Sequence, residues 1–308
     1  MRGKKHKRAI IETAIMAAIA SLLVMGTLNI PILSILVFVI PVCFIILSVR
    51  HGNRYTILSL IIASLLIRIL TEQVYVGFVF TIFAPIALTM GYWIRRKKEP
   101  YEVIGIGTAA SAIAIFIFLQ MIALILGVNI VDEIGNMVNS VISHQMEMLS
   151  NMNIETIDPN EALNYIMMVL PGLVVVQSMI GAFVNYYLAS TIINRFKLAD
   201  FSLREFSDFK LPKNIVLGSL IIFILSFLTR YIEGIHHASL ISNVTIIFVC
   251  IFFLQGITFI SFLLRRMQTP KFVRRLLIVI LVVISPLMTL VALVGLMDSL
   301  LNVRRAEK

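Results

Sequence analysis

The chain has 308 residues, of which 59% are hydrophobic and 14% charged, with a mean hydropathy of +0.99. A soluble domain of this length cannot bury that much apolar surface, so lipid is the solvent for most of the chain. A net charge of +10 would point to nucleic acid in a soluble protein, but here the cations sit between apolar runs, and no nucleic-acid partner is expected.

In lipid every backbone N–H and C=O must be satisfied internally, which leaves helices or a closed barrel. The apolar runs are continuous and lack the alternation of barrel strands. The expected fold class is all-α: a polytopic transmembrane helical bundle of eight or nine spans in a bacterial cell membrane. Of 26 Lys and Arg, only Arg68 and Arg230 fall outside six basic segments. The first is an N-terminal arm with Arg2, Lys4, Lys5, Lys7 and Arg8, which directly precedes the run Ala9 to Leu28. Cations stay on the cytoplasmic side, so the N-terminus is expected inside.

The second span runs from Pro31 to Val49 with Pro41 inside it, and Arg50 to Arg54 makes a turn back. The third, Tyr55 to Leu70, ends near Arg68, Glu72 and Gln73. The fourth, Val74 to Ile94, stops at the basic run Arg95–Lys98, and the fifth is Val103 to Val128. Residues 129–161 then carry six carboxylates and no Lys or Arg, which places this stretch outside. Val131, Ile134, Val138, Val141, Ile142 and Leu149 recur in it at helical spacing, predicting an amphipathic helix on the outer surface or over the bundle. Asp158-Pro159-Asn160-Glu161 reads as a helix start with Asp158 as N-cap and Pro159 at the first helical position. The sixth span, from Ala162 to about Ile193, exceeds one crossing and is expected to tilt, kink at Pro171 or extend beyond the bilayer.

These features divide the chain into three parts. Residues 1–194 form a six-helix membrane bundle with an outer insertion at 129–161. Residues 195–214 form a cytoplasmic amphipathic connector mixing charge with Phe196, Phe201, Phe206 and Phe209, and 215–308 form C-terminal membrane helices. Spans seven and eight are Ile215 to Tyr231 and Ser239 to Leu264. The last run, Leu276 to Leu301, has cations at both ends. Either it crosses once against the charge rule, or Pro286 breaks it into a re-entrant or interfacial hairpin.

No phosphate loop or H-E-x-x-H pair is present, and the five histidines are scattered. Cys43 and Cys250 lie inside apolar runs, away from any disulfide or metal framework. The chain is therefore expected to be no enzyme and to carry no cofactor, catalytic residue or metal ligand. Polar side chains at membrane depth are the informative ones, because each is costly there unless paired or used. Arg68, Glu72 and Gln120 are the candidate substrate-binding residues, as an outward-facing polar pocket for a small solute. The plainer alternative is a helix-end pair of Arg68 with Glu72, four residues apart. Ala14 and Ala18, small residues one turn apart on the first helix, are the candidate contact face for a partner helix.

The hydropathy layout, the Ala14-x-x-x-Ala18 pair and the ending Gly295-Leu-Met-Asp298-Ser-Leu-Leu-Asn-Val-Arg304 resemble the YybS-like family of bacterial membrane proteins, which has no assigned biochemical activity. The first six spans are also similar to the substrate-binding component of energy-coupling-factor vitamin transporters. That likeness implies a vitamin-sized solute bound from outside, Ala14 and Ala18 as the contact with a coupling subunit, and ATP hydrolysis supplied by other chains. Two functions follow as expectations. The protein binds or helps transport a small solute, or it is a non-transporting scaffold or regulator whose cytoplasmic loops hold a partner protein.

Overall fold

The computed structural model describes residues 2–71, 79–151, 158–234, 236–284, 286–301 and 304. Among them all regular structure is helical: α1 (Arg2–Asn29), α2 (Ile40–His51), α3 (Asn53–Thr71), α4 (Val79–Arg95), α5 (Pro100–Leu126), α6 (Ile130–Asn151), α7 (Pro159–Phe196), α8 (Lys213–Leu228), α9 (His237–Arg266), α10 (Lys271–Val283) and α11 (Leu287–Leu301). A 3-10 helix, Pro31–Val39, leads into α2. Pro41 falls in the first turn of α2, where its missing N–H costs nothing. Among the described residues, seven helical segments are long and apolar enough to cross a membrane, the 3-10 helix and α2 counting as one. The 17-residue α4 lies between the far end of α3 and the basic loop that precedes α5, where the fourth span is expected. Residues 74–78, expected to open that span, lie outside the described residues.

The outer surface of the helices is aliphatic, with Leu22, Ile35, Ile69 and Leu124 among the most exposed residues. In a bundle solvated by lipid this is the bilayer-contacting surface. The inner faces are built from small and aromatic residues. Thr13, Ala17, Ala20 and Val24 of α1 pack toward α3, where Ser59 donates to the Thr13 carbonyl and Ser21 donates to the Ala63 carbonyl. Gly91 of α4 lies so close to Ser48 of α2 that a Cβ would clash with the serine side chain.

Helix α7 is 38 residues, about 57 Å at 1.5 Å per residue, nearly twice the hydrocarbon thickness. It opens as expected, with Asp158 accepting from the Asn160 amide and Pro159 in the first turn. At Pro171 the missing N–H opens one turn of the helix. Asn243 of α9 fills that opening: its Oδ1 accepts from the Gly172 amide, and its Nδ2 donates to the Met168 carbonyl at 3.0 Å. Helix α6 packs against α7, burying Ile142 and leaving Val131 and Val141 exposed, as an amphipathic surface helix would.

The basic segments converge at one end of the bundle. Tyr55 at the start of α3 hydrogen-bonds His6 of the arm. Glu12 of α1 pairs with Arg8 at 2.9 Å and with Arg50 at 2.6 Å. Gly52 faces the Arg95 guanidinium, the Lys97 ammonium lies over the Phe201 ring, and Arg265 reaches the connector. The last apolar run resolves into two helices, α10 and α11, whose axes turn by 114° on either side of Pro286. Helix α10 leaves from the basic end beside Arg266, and Arg304, just past α11, returns to the same end among connector carbonyls. The run is therefore a hairpin and not a ninth crossing. With 15 residues, about 22 Å, α11 is also too short to span.

Candidate functional site

Two of the three residues singled out for a solute pocket fall within the described residues. Arg68 on α3 and Gln120 on α5 are both exposed, and Glu72 lies outside the described residues. Helix α3 packs on α1, α2 and α4, whereas α5 packs on α4 and α7. An apolar groove of about 360 Å³ between α3 and α4 is lined by Ile57, Ile61, Phe80 and Leu88 among others, and reaches neither Arg68 nor Gln120. Ala14 and Ala18 point away from the core of α1 and are exposed, beside Ile11, Ile15 and Ile19.

The most elaborately built polar site is at the basic end, where residues 197–212 connect α7 to α8. This segment has only a 3-10 turn, Phe206–Asp208, so most of its backbone groups lack helical partners. At membrane depth or its boundary such groups need others, and side chains of α7, α9 and the C-terminus provide them. Asn194 accepts from the Leu203 amide at 2.9 Å and donates to the Leu203 carbonyl at 2.8 Å. Ser190 donates to the Arg204 carbonyl, and the Leu211 amide donates to Gln255 Oε1 at 3.1 Å. Arg304 completes the set: its Nη1 donates to the carbonyls of Ser207 and Phe209 at 2.9 and 2.8 Å.

Arg304 is itself held. Its Nε and Nη2 lie 3.1 and 3.0 Å from Asp298 Oδ2, and its guanidinium sits 5.4 and 5.3 Å from the ring centres of Phe259 and Phe262. The side chains of Asp298 and Arg304 are 0% and 9% exposed, so the pair is buried. Gln255 donates to the same carboxylate oxygen at 2.6 Å, linking the pair to the Leu211 amide. Burial pulls the Arg304 pKa below its ordinary value and the adjacent Asp298 carboxylate opposes this; a guanidinium remains charged either way.

Close helix packing makes this geometry possible. A Cβ on Gly295 would run into the Phe252 carbonyl, and one on Gly256 into the Val291 carbonyl, so α9 and α11 touch backbone to backbone. That contact brings Asp298 and Gln255 within hydrogen-bonding range. On the other side of the connector, Phe206 and Phe209 insert beside Phe183 and Tyr187 of α7 with ring centres 5.2–6.3 Å apart. The segment is thus pinned by hydrogen bonds, an ion pair and an aromatic cluster. Leu203, Ser207 and Phe209 point inward, while Arg204, Glu205 and Asp208 are displayed outward.

The ending with Gly295, Asp298 and Arg304 carries the family resemblance in the sequence, but nothing in it predicts this clamp. Residues six apart do not share a helical face, and Arg304 lies past the end of α11. A lone Asp at the end of an apolar run was the available signal.

The chain from residue 18 to 299 matches the model of DUF2232, described as a predicted membrane protein. The chain belongs to the DUF2232 family. The matched span runs from α1 to the turn of α11 carrying Asp298 and stops short of Arg304. Over 312 aligned residues the chain is 24% identical to "Uncharacterized protein YybS" of Bacillus subtilis (strain 168), covering 99% of this chain and all of that protein. No solved structure matches. This DUF2232 chain is a multi-pass bacterial membrane protein of YybS-like type. The matches do not extend to the likeness of its first six spans to vitamin-transporter subunits.

Proposed function

We propose that this DUF2232 protein is a non-catalytic membrane scaffold whose basic end lies in the cytoplasm and offers the connector as a docking platform for a partner protein. The observation that carries the reading is the buried Asp298–Arg304 clamp on the Ser207 and Phe209 carbonyls. An irregular segment ordinarily drifts and loses binding free energy when it is immobilised on a partner. Here the ordering is already done by the fold, and Arg204, Glu205 and Asp208 are presented from a fixed backbone. Orientation follows from the gathering of the basic segments at this end.

This reading is preferred to solute binding at Arg68, Glu72 and Gln120 because Arg68 and Gln120 are both exposed and the groove beside α3 reaches neither of them. The test is a photoreactive residue in place of Ser202, which is exposed on the connector, activated in native membranes. A discrete adduct with one protein is expected, lost on charge reversal at Arg204 and Lys210 and equally lost with Arg304→Ala. An adduct indifferent to all three substitutions would remove the platform reading.

A further inference from the structure

Beside the platform lies a cleft of about 290 Å³, lined by Glu99, Tyr101, Arg204, Asp208, Lys210 and Lys213 among others. We propose that this cleft binds a phosphate-bearing anion, either an anionic phospholipid headgroup or a free phosphate ester. The inference goes beyond the docking reading and holds with or without a partner protein.

Three cations line the cleft against two carboxylates, and both carboxylates are engaged. Asp208 is drawn to Arg265 at 3.3 Å, a residue outside the lining. Glu99 Oε1 holds Arg204 Nη2 at 2.8 Å, with both side chains about half exposed (42% and 58%). Glu99 also shares a reciprocal cap with Glu102 at the start of α5, so its carboxylate serves two donors at once. A pair this open to solvent is weakly held. A phosphate can therefore replace the carboxylate on Arg204, since the guanidinium fork suits a phosphate as well as it suits a carboxylate.

Lys213, exposed at the first position of α8, opens a helix that has no side-chain cap, so the positive end of α8 adds to the field in the cleft. Tyr101 brings a hydroxyl that can donate to a phosphate oxygen. The apolar part of the lining, Pro100, Leu211 and Pro212, continues onto the starts of α5 and α8, both long and apolar enough to cross a membrane. A headgroup bound here would leave its acyl chains against those helices, which is the depth at which basic pockets between membrane helices take anionic lipids.

The experiment uses the full chain and measures dissociation constants for two probes. One is phosphatidylglycerol in nanodiscs, compared with phosphatidylcholine-only discs; the other is glycerol phosphate in detergent. Arg204→Gln with Lys213→Gln is expected to weaken the bound probe at least tenfold. Lys271→Gln with Arg275→Gln, which removes equal charge from α10 at the same end, should change it less than twofold. Glu99→Gln, which retains a capping acceptor but releases Arg204, should tighten binding. Tight binding in the discs alone assigns a lipid site, and binding of both probes assigns a phosphate site. Equal weakening by the two double variants, weaker binding in Glu99→Gln, or no binding of either probe would overturn the proposal. If Arg204→Gln with Lys213→Gln lowers the ligand-free melting temperature, the Glu99→Gln result decides by its sign. Failure of the crosslinking test leaves these constants unchanged, so the two readings fail separately.

Discussion

Replacing Arg304 with alanine tests the clamp directly. The substitution leaves a carboxylate at 0% exposure with Gln255 as its remaining donor, and it removes the donor of the Ser207 carbonyl. The Phe209 carbonyl keeps only the long 3.4 Å contact with Thr258. Breaking a buried ion pair by removing one member typically costs about 3–5 kcal/mol, because the survivor is an unpaired buried charge. The loss is confined to the contact between connector and C-terminus, so it appears as local opening and not as global unfolding. At the lower figure of ~3 kcal/mol the opening equilibrium rises somewhat more than a hundredfold. Hydrogen exchange in nanodiscs reads this out at the Leu211 amide, which donates to Gln255, and at the Leu203 amide, which donates to Asn194. Protection at Leu211 should fall about a hundredfold while the buried helices α2 and α4 keep theirs. The double change Asp298→Leu with Arg304→Met removes both charges and should restore at least half of the lost protection, since apolar replacement of a whole pair is often neutral. Protection at Leu211 within threefold of wild type in a folded Arg304→Ala protein would show that the clamp does not hold the connector.

Four further outcomes are expected. Gly295→Val puts a side chain into the Phe252 carbonyl and should force α9 and α11 apart at about 1–3 kcal/mol, seen as a lower melting temperature together with faster exchange at Leu211. Asn243→Ala strips the Gly172 amide and the Met168 carbonyl of a partner and should cost about 1 kcal/mol; Pro171→Ala in that background should recover part of it by letting α7 close its own ladder, and no recovery would count against the proline as the cause. Glu12→Ala leaves Arg50 and His51, both largely buried, without their shared carboxylate, so it should destabilise docking of α1 by about 1–3 kcal/mol, read by proteolysis after α1. A thermal-shift screen against vitamins and other small metabolites should show no stabilisation that depends on Arg68; a hit abolished by Arg68→Ala would restore the solute-binding reading, since saturation at a hundredfold excess stabilises by about 2.7 kcal/mol.

The helical class, the bilayer as solvent and the positions of nearly every span were legible in the residues themselves. Twenty-odd apolar residues between basic segments have no other stable state in lipid, and Asp158-Pro159 announces the start of α7 by local backbone chemistry alone. Each of these features is decided within a few residues of itself. What sequence left open was decided by contacts between segments far apart in the chain. The run 276–301 could cross or return, and it returns because Gly256 and Gly295 let α9 and α11 meet and because Arg304 has Asp298 and two connector carbonyls to bind at the basic end. The connector looked like a charged surface segment, yet its backbone partners are Ser190, Asn194, Gln255, Thr258 and Arg304, residues whose meeting no periodicity encodes. Helical spacing puts Arg8 and Glu12 one turn apart, where they pair. It could not see that Arg50 and His51 share that carboxylate, because hydropathy sets which segments enter the membrane, while packing alone sets which polar groups within it find one another.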